Sequence, residues 1–200
     1  MLAPHFARVV GSDASRAQLR QAERVPGVHY VAALAEASAL CARSVDLITV
    51  AQAFHWLTPE RFYAEVDRVA APGAALALWG YGKVSCAPAI DAALSHFHEE
   101  TVGPYWPLAR KLVDRGYRGF EIPIAETPPP RLAIEAVMTL AELLGYLRTW
   151  SAVGRYQMAR GQDPVALLQP ELSRLWGDSQ RRRRVRWPLF IRAVPWRGAR

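Results

Sequence analysis

Two hundred residues with 51% apolar positions are enough for one domain with a sizeable core. The formal charge is +7, and Cys41 and Cys86 show neither metal-ligand spacing nor a disulfide framework, which predicts a reducing, cytoplasmic setting. A membrane span needs about 18 consecutive apolar residues, a run this chain lacks, and Met1 to His5 does not read as a signal peptide.

Ala7 to Asp13 reads as a short strand ending in a turn. Ser15 and Gln18 fit a capping box for a helix over 16–24, which Pro26-Gly27 stops. Val28 to Ala32 is a second strand, and Ala35 to Ser38 a loop or short helix. Val45 to Ala51 is a third strand, apolar on both faces apart from Asp46 and Thr49, as in a central parallel strand. Thr58 is placed to N-cap the next helix with Pro59 at its first position. Phe62, Val66, Val69 and Ala70 form its buried stripe, and Pro72-Gly73 ends it. Ala74 to Trp79 is a fourth strand. Strands and helices thus alternate, which predicts a parallel sheet with helices on both faces.

Further on, helices are expected over 87–101, 104–116, 140–150 and 164–176. Thr127 to Pro130 reads as a rigid linker, Leu132 to Val137 as a strand, and Val185 to Val194 as a terminal strand. Pro188 would place that last strand at a sheet edge or mark a bulge in it. The run Arg181-Arg182-Arg183-Arg184, with Arg186, fits a solvated turn better than a nucleic-acid patch.

The candidate chemistry sits at strand ends. Asp13 either accepts both hydroxyls of a ribose or simply turns the chain. Glu36 either lies beside that loop or is a surface residue. Among Gln52, His55 and Trp56, the histidine is either a base or a loop residue bonded to backbone, and the tryptophan either stacks on a cation or is core. Arg148, Trp150 and Arg155 lie in an arginine- and aromatic-rich stretch, where an arginine can hold a carboxylate or stay in water. His96 and His98 do not share a helical face, so no metal site is expected.

In combination these segments resemble the class I S-adenosylmethionine-dependent methyltransferases, in the branch similar to trans-aconitate methyltransferases. The resemblance runs through Val9 to Ser15, Ala35-Glu36, Ser44 to Trp56, Arg61 to Val69 with Pro72-Gly73, Gly145 to Ala152 and Val185 to Pro188. It covers nearly the whole chain and implies an α/β, Rossmann-like sheet with a helical cap and terminal strands in the second half. It implies one methyltransferase domain over 1–200, with a cofactor half over 1–85 and a substrate half over 86–200. S-adenosyl-L-methionine is the implied cofactor. Asp13 would hold its ribose, Ala14 would pack on the adenine, Ala35 and Glu36 would flank it, and Ala51, Gln52 and Ala53 would line the methionine end. His55, Trp56, Tyr81 and Trp150 would face the acceptor, and Arg148 or Arg155 would orient it.

The family's first strand and glycine-rich loop should precede Leu2 and are absent from this sequence. By resemblance that strand is central, between the strands near Val10 and Val50. Leaving its neighbours' ladders unpaired would cost as much as a typical domain's whole stability, about 5–15 kcal/mol. The 200 residues are therefore expected to be unstable or inactive unless the sheet closes up or another segment fills the slot. The expected function is methyl transfer to a small-molecule acceptor bearing a carboxylate or hydroxyl, without a membrane partner. A non-catalytic binding module and an RNA-interacting methyltransferase remain as alternatives.

Overall fold

The computed structural model describes residues 2–118 and 132–197, so the predicted linker at 127–130 lies outside the described residues. The chain forms an α/β fold. It divides into two compact units. The described part of the first is 2–78 with 193–197, and that of the second is 79–118 with 132–192.

In the first unit, β1 (Val9–Asp13) pairs in parallel with β2 (Val28–Ala32), from Val9 opposite Val28 to Asp13 opposite Ala32. Between them α1 (Arg16–Arg20) is shorter than expected. None of its residues is buried, so no packing offsets the cost of extending so short a helix. Pro26-Gly27 forms a turn, with Gly27 at φ +79° and the Val28 amide donating to the Val25 carbonyl at 3.1 Å, but the helix has already ended at Arg20, so the pair does not stop it.

β3 (Val45–Ala51) leads to α2 (Pro59–Val69), and β4 (Ala70–Tyr81) follows at once. Phe62, Val66 and Val69 are the buried stripe of α2. The helix ends before Pro72-Gly73 because a proline pushes the residue before it into extended backbone. Two of its last carbonyls, those of Arg68 and Val69, accept the amides of Arg43 and Ser44 at 2.9 and 2.8 Å. Pro72 and Gly73 therefore lie inside β4. The predicted Thr58 side-chain cap does not form.

β1 and β2 make a sheet of their own, and β3 ends the other sheet, whose order is β3, β4, then the terminal strand β6 (Arg183–Pro195) and β5 (Leu132–Met138). Among the described residues no strand lies between β1 and β3. No described residue before Val50 is buried.

The second unit holds the end of β4, then α3 (Pro88–His96), which runs into a π-helical turn over Phe97–Thr101. The helix expected over 104–116 is reduced to α4 (Arg110–Asp114), because Pro107 holds Trp106 in extended backbone. α5 (Leu140–Arg148) starts at a full capping box between Thr139 and Glu142. A helix that was not anticipated, α6 (Ser151–Arg160), follows, and Gly161 at φ +71° closes it. α7 (Pro164–Trp176) has the predicted bounds. Ile90, Leu94, Phe97, Leu143, Leu147, Leu172, Trp176 and Val185 are the centre of this unit's core.

β6 is flanked by β4 and β5, so Pro188 does not mark an edge. Its carbonyl accepts the Gly82 amide at 2.8 Å, and its missing N–H would point to that same side. The bonds toward β5 lose nothing. The ring fits because Gly82 has no side chain: a Cβ there would meet Pro188 Cγ at 3.3 Å.

Candidate functional site

The parallel register of β1 and β2 brings Asp13 and Ala32 to one end, where the Ala33 amide donates to the Asp13 carbonyl at 3.2 Å. Ala35 and Glu36 follow in a turn closed by the Ala37 amide on the Leu34 carbonyl at 3.2 Å. One Glu36 carboxylate oxygen then accepts the Thr58 amide at 3.1 Å. That bond ties the loop after β2 to the start of α2, just beyond the loop that leaves β3. The carboxyl ends of the three strands are thus linked in one neighbourhood.

Asp13 is exposed, and its Oδ1 accepts the Ser15 amide at 2.7 Å, so this carboxylate does turn the chain. Ala14 is exposed, and Ala35 is half-buried. After β3, exposed Ala51 is followed by Gln52 at φ +51°, a left-handed conformation uncommon outside glycine. Ala53 precedes a 3-10 turn over Phe54–Trp56. Phe54 anchors this loop, fully buried with its ring edge-on to Phe62 at 5.8 Å. That anchor leaves His55 half-buried against Trp56, ring centroids 4.7 Å apart, and leaves Trp56 58% exposed.

A network centred on buried Glu65 ties the loop after β2 to α2. Both the amide and the hydroxyl of Ser38 donate to Glu65 Oε1, at 2.7 and 2.6 Å. The Arg68 guanidinium donates to both oxygens of the same carboxylate, at 2.7 and 2.8 Å. Arg68 first, with Ser38, holds the Glu65 pKa down at about 2 against the opposing effect of burial. The sequence reading missed this triad. The i,i+3 spacing of Glu65 and Arg68 was its one local signal.

The other candidates lie in the second unit. Tyr81 is half-buried and packs on that unit's core. Arg155 is exposed on α6. Arg148 is engaged: its Nε donates to Asp163 Oδ2 at 2.8 Å, while Asp163 caps α7 by accepting the Val165 amide at 2.9 Å. It serves as a tie between helices. Trp150 lies at the break between α5 and α6, within a ring cluster of Phe97, His98, Trp106 and Tyr146 at centroid distances of 5.5–6.1 Å. The Tyr146 hydroxyl accepts the Trp187 indole N–H at 2.9 Å, and burial pushes the Tyr146 pKa up. His98, Trp106, Tyr146 and Trp187 were not singled out for binding from the sequence. Aromatic density around Trp150 was the available signal.

The arginine run is folded into pairing. Arg186 and Arg184 reach Glu135 on β5 at 3.6 and 4.0 Å, and Arg182 reaches Glu142 at 3.6 Å. Arg183 donates to the Trp176 carbonyl at 3.0 Å and lies over its ring. A cavity of about 790 Å³ lies at the opposite, amino end of β3 and β4, lined by Arg43, Asp67, Arg68, Pro72 and Trp196 among others, and no predicted site residue lines it. Among the described residues no cluster of metal-ligating side chains occurs, and no helix is long and apolar enough to cross a membrane.

Comparison with known proteins gives a consistent family. A family model described as a methyltransferase domain matches residues 1–78. A Dictyostelium discoideum protein named as a methyltransferase is 31% identical over 186 residues, spanning 90% of this chain and 71% of its own length. The solved structure of an Anaeromyxobacter dehalogenans protein named as a type II methyltransferase is 42% identical, covers 97% of this chain and 83% of its own, and superposes with a TM-score of 0.88. The chain belongs to the class I S-adenosylmethionine-dependent methyltransferases.

Proposed function

We propose that the carboxyl ends of β1, β2 and β3 hold S-adenosyl-L-methionine and that the enzyme transfers its methyl group to a small-molecule oxygen acceptor. The observation that carries this reading is the Glu36–Thr58 bond, which ties the loop after β2, whose last residue Ala32 pairs with Asp13, to the residue that follows the Gln52 to Leu57 loop. The residues there fit the cofactor chemically. Asp13 offers an exposed carboxylate suited to paired ribose hydroxyls, and the small side chains of Ala14 and Ala35 leave space for a flat base. The exposed Trp56 ring offers a π face to a cation.

When bound, the cofactor supplies a methyl group already activated on a sulfonium. The chain's own part is to align the acceptor oxygen in line with that methyl and to exclude water. A carboxylate acceptor needs no base; for a hydroxyl, His55 takes the proton. The two free cysteines, Cys41 and Cys86, fit action in the cytoplasm.

Calorimetric titration with S-adenosyl-L-methionine tests the reading. Saturable binding is expected, weakened about tenfold to a hundredfold by Asp13→Ala, the loss of hydrogen bonds to a charged group. No saturable binding by the intact chain, or equal binding by the variant, would overturn it.

A further inference from the structure

Among the described residues, His98 is a buried side chain whose polar atoms are all left unserved by the fold. Only 6% of its surface is exposed, and neither Nδ1 nor Nε2 has a hydrogen-bond partner. Buried polar atoms are nearly always paired, so an orphaned imidazole calls for an explanation such as a ligand. Its backbone gives a second sign. His98 lies in the π-helical turn that extends α3, a rare conformation that recurs at functional sites. The rings above it give a third. Trp106 lies against the imidazole at 4.9 Å and Trp150 meets it edge-on at 5.5 Å, and both tryptophans are half-exposed. Trp150 stands in extended backbone between two helices, and its side chain hydrogen-bonds Tyr146, a bond that an incoming ring would have to replace.

We propose that His98, under Trp106 and Trp150, is the anchor for the carboxylate of a small planar acid. A planar molecule displacing the Trp150 ring would stack on Trp106 and place an oxygen on the imidazole N–H. The charged groups that act on this ring are Lys83, Glu99, Arg110 and Asp114. Burial first, then Lys83, holds its pKa down to about 4, so the empty site keeps a neutral imidazole at pH 7. A carboxylate at the ring reverses that balance and favours imidazolium. Binding therefore takes up a proton, and affinity rises as pH falls.

The test uses benzoate as probe on the intact chain. Tryptophan fluorescence and the imidazole resonances of His98 are followed between pH 5.5 and 7.5, with S-adenosyl-L-methionine titrated into every sample in parallel. Saturable benzoate binding is expected, tightening with falling pH by at most about tenfold per pH unit, the limit for one proton. His98→Phe keeps the ring and should lose at least about tenfold in benzoate affinity, while its melting temperature rises because an unpaired buried polar group is gone. His98→Gln keeps a donor and should retain binding but lose the pH dependence. A structural histidine would give the opposite stability change and no effect on benzoate. No benzoate binding at any pH, equal affinity in His98→Phe, or equal affinity for benzyl alcohol would each overturn the assignment. Failure of S-adenosyl-L-methionine binding alone would instead strike the cofactor reading and leave the His98 result standing.

Discussion

Glu65 and His98 both make this protein sensitive to acid, in separate windows. Glu65 has its pKa lowered to about 2 by Arg68 and Ser38. Its contribution is complete above the unfolded value of 4.5 and disappears as pH falls toward 2. His98 is held neutral by burial, with a pKa near 4 against an ordinary 6.5. The unfolded chain binds that proton more readily, so stability also declines as pH falls from 6.5 toward 4. Denaturation followed across pH should therefore show two acid limbs. Glu65→Gln should flatten the lower limb and cost about 1–3 kcal/mol at neutral pH, because Arg68 and Ser38 lose a charged partner. An unchanged lower limb in that variant would remove the triad from the account. The sequence exposed the Glu65–Arg68 spacing, but Ser38 joins from the loop after β2, a contact that no local pattern encodes.

Element boundaries followed local chemistry where local chemistry is strong. β2, β3 and α7 have the bounds that periodicity and turn residues indicate, and Asp163 supplies the cap for α7. α1, α4 and the end of α2 departed from expectation where packing or proline spoke louder than propensity. β6 shows how a proline is admitted to an inner strand: its donor-less side faces Gly82, where no Cβ stands in the way. Gly82→Ala should cost about 1–3 kcal/mol through overpacking against Pro188. Combined with Pro188→Ala, which opens the space, the loss should be smaller than for the first change alone. Chemical denaturation of the two single variants and the double variant decides this, and strict additivity would refute it.

At the scale of the whole chain, apolar burial is uneven. The second unit holds a continuous core from Val84 through Trp187, whereas no described residue of 2–49 is buried. β1 and β3 each lie at the end of a sheet, with no described strand between them. Low burial and open ladders mark a segment of low local stability. Hydrogen exchange of the 200-residue chain should therefore show amides of 9–32 exchanging well before those of α5 and α7. Equal protection in both would mean that β1 and β2 are stabilised by something other than the described contacts.

The sequence alone determined the family, the positions of the strand-end loops and most strand cores, because these rest on residues that neighbour one another along the chain. Only the tertiary structure decided that Arg148 and the late arginines are engaged, that buried Glu65 binds Ser38 and Arg68, that Pro188 lies inside a sheet and that the His98 ring is sealed without a partner. Those outcomes depend on pairings between residues distant along the chain. Such pairings are set by how whole elements pack, and short-range pattern does not encode them.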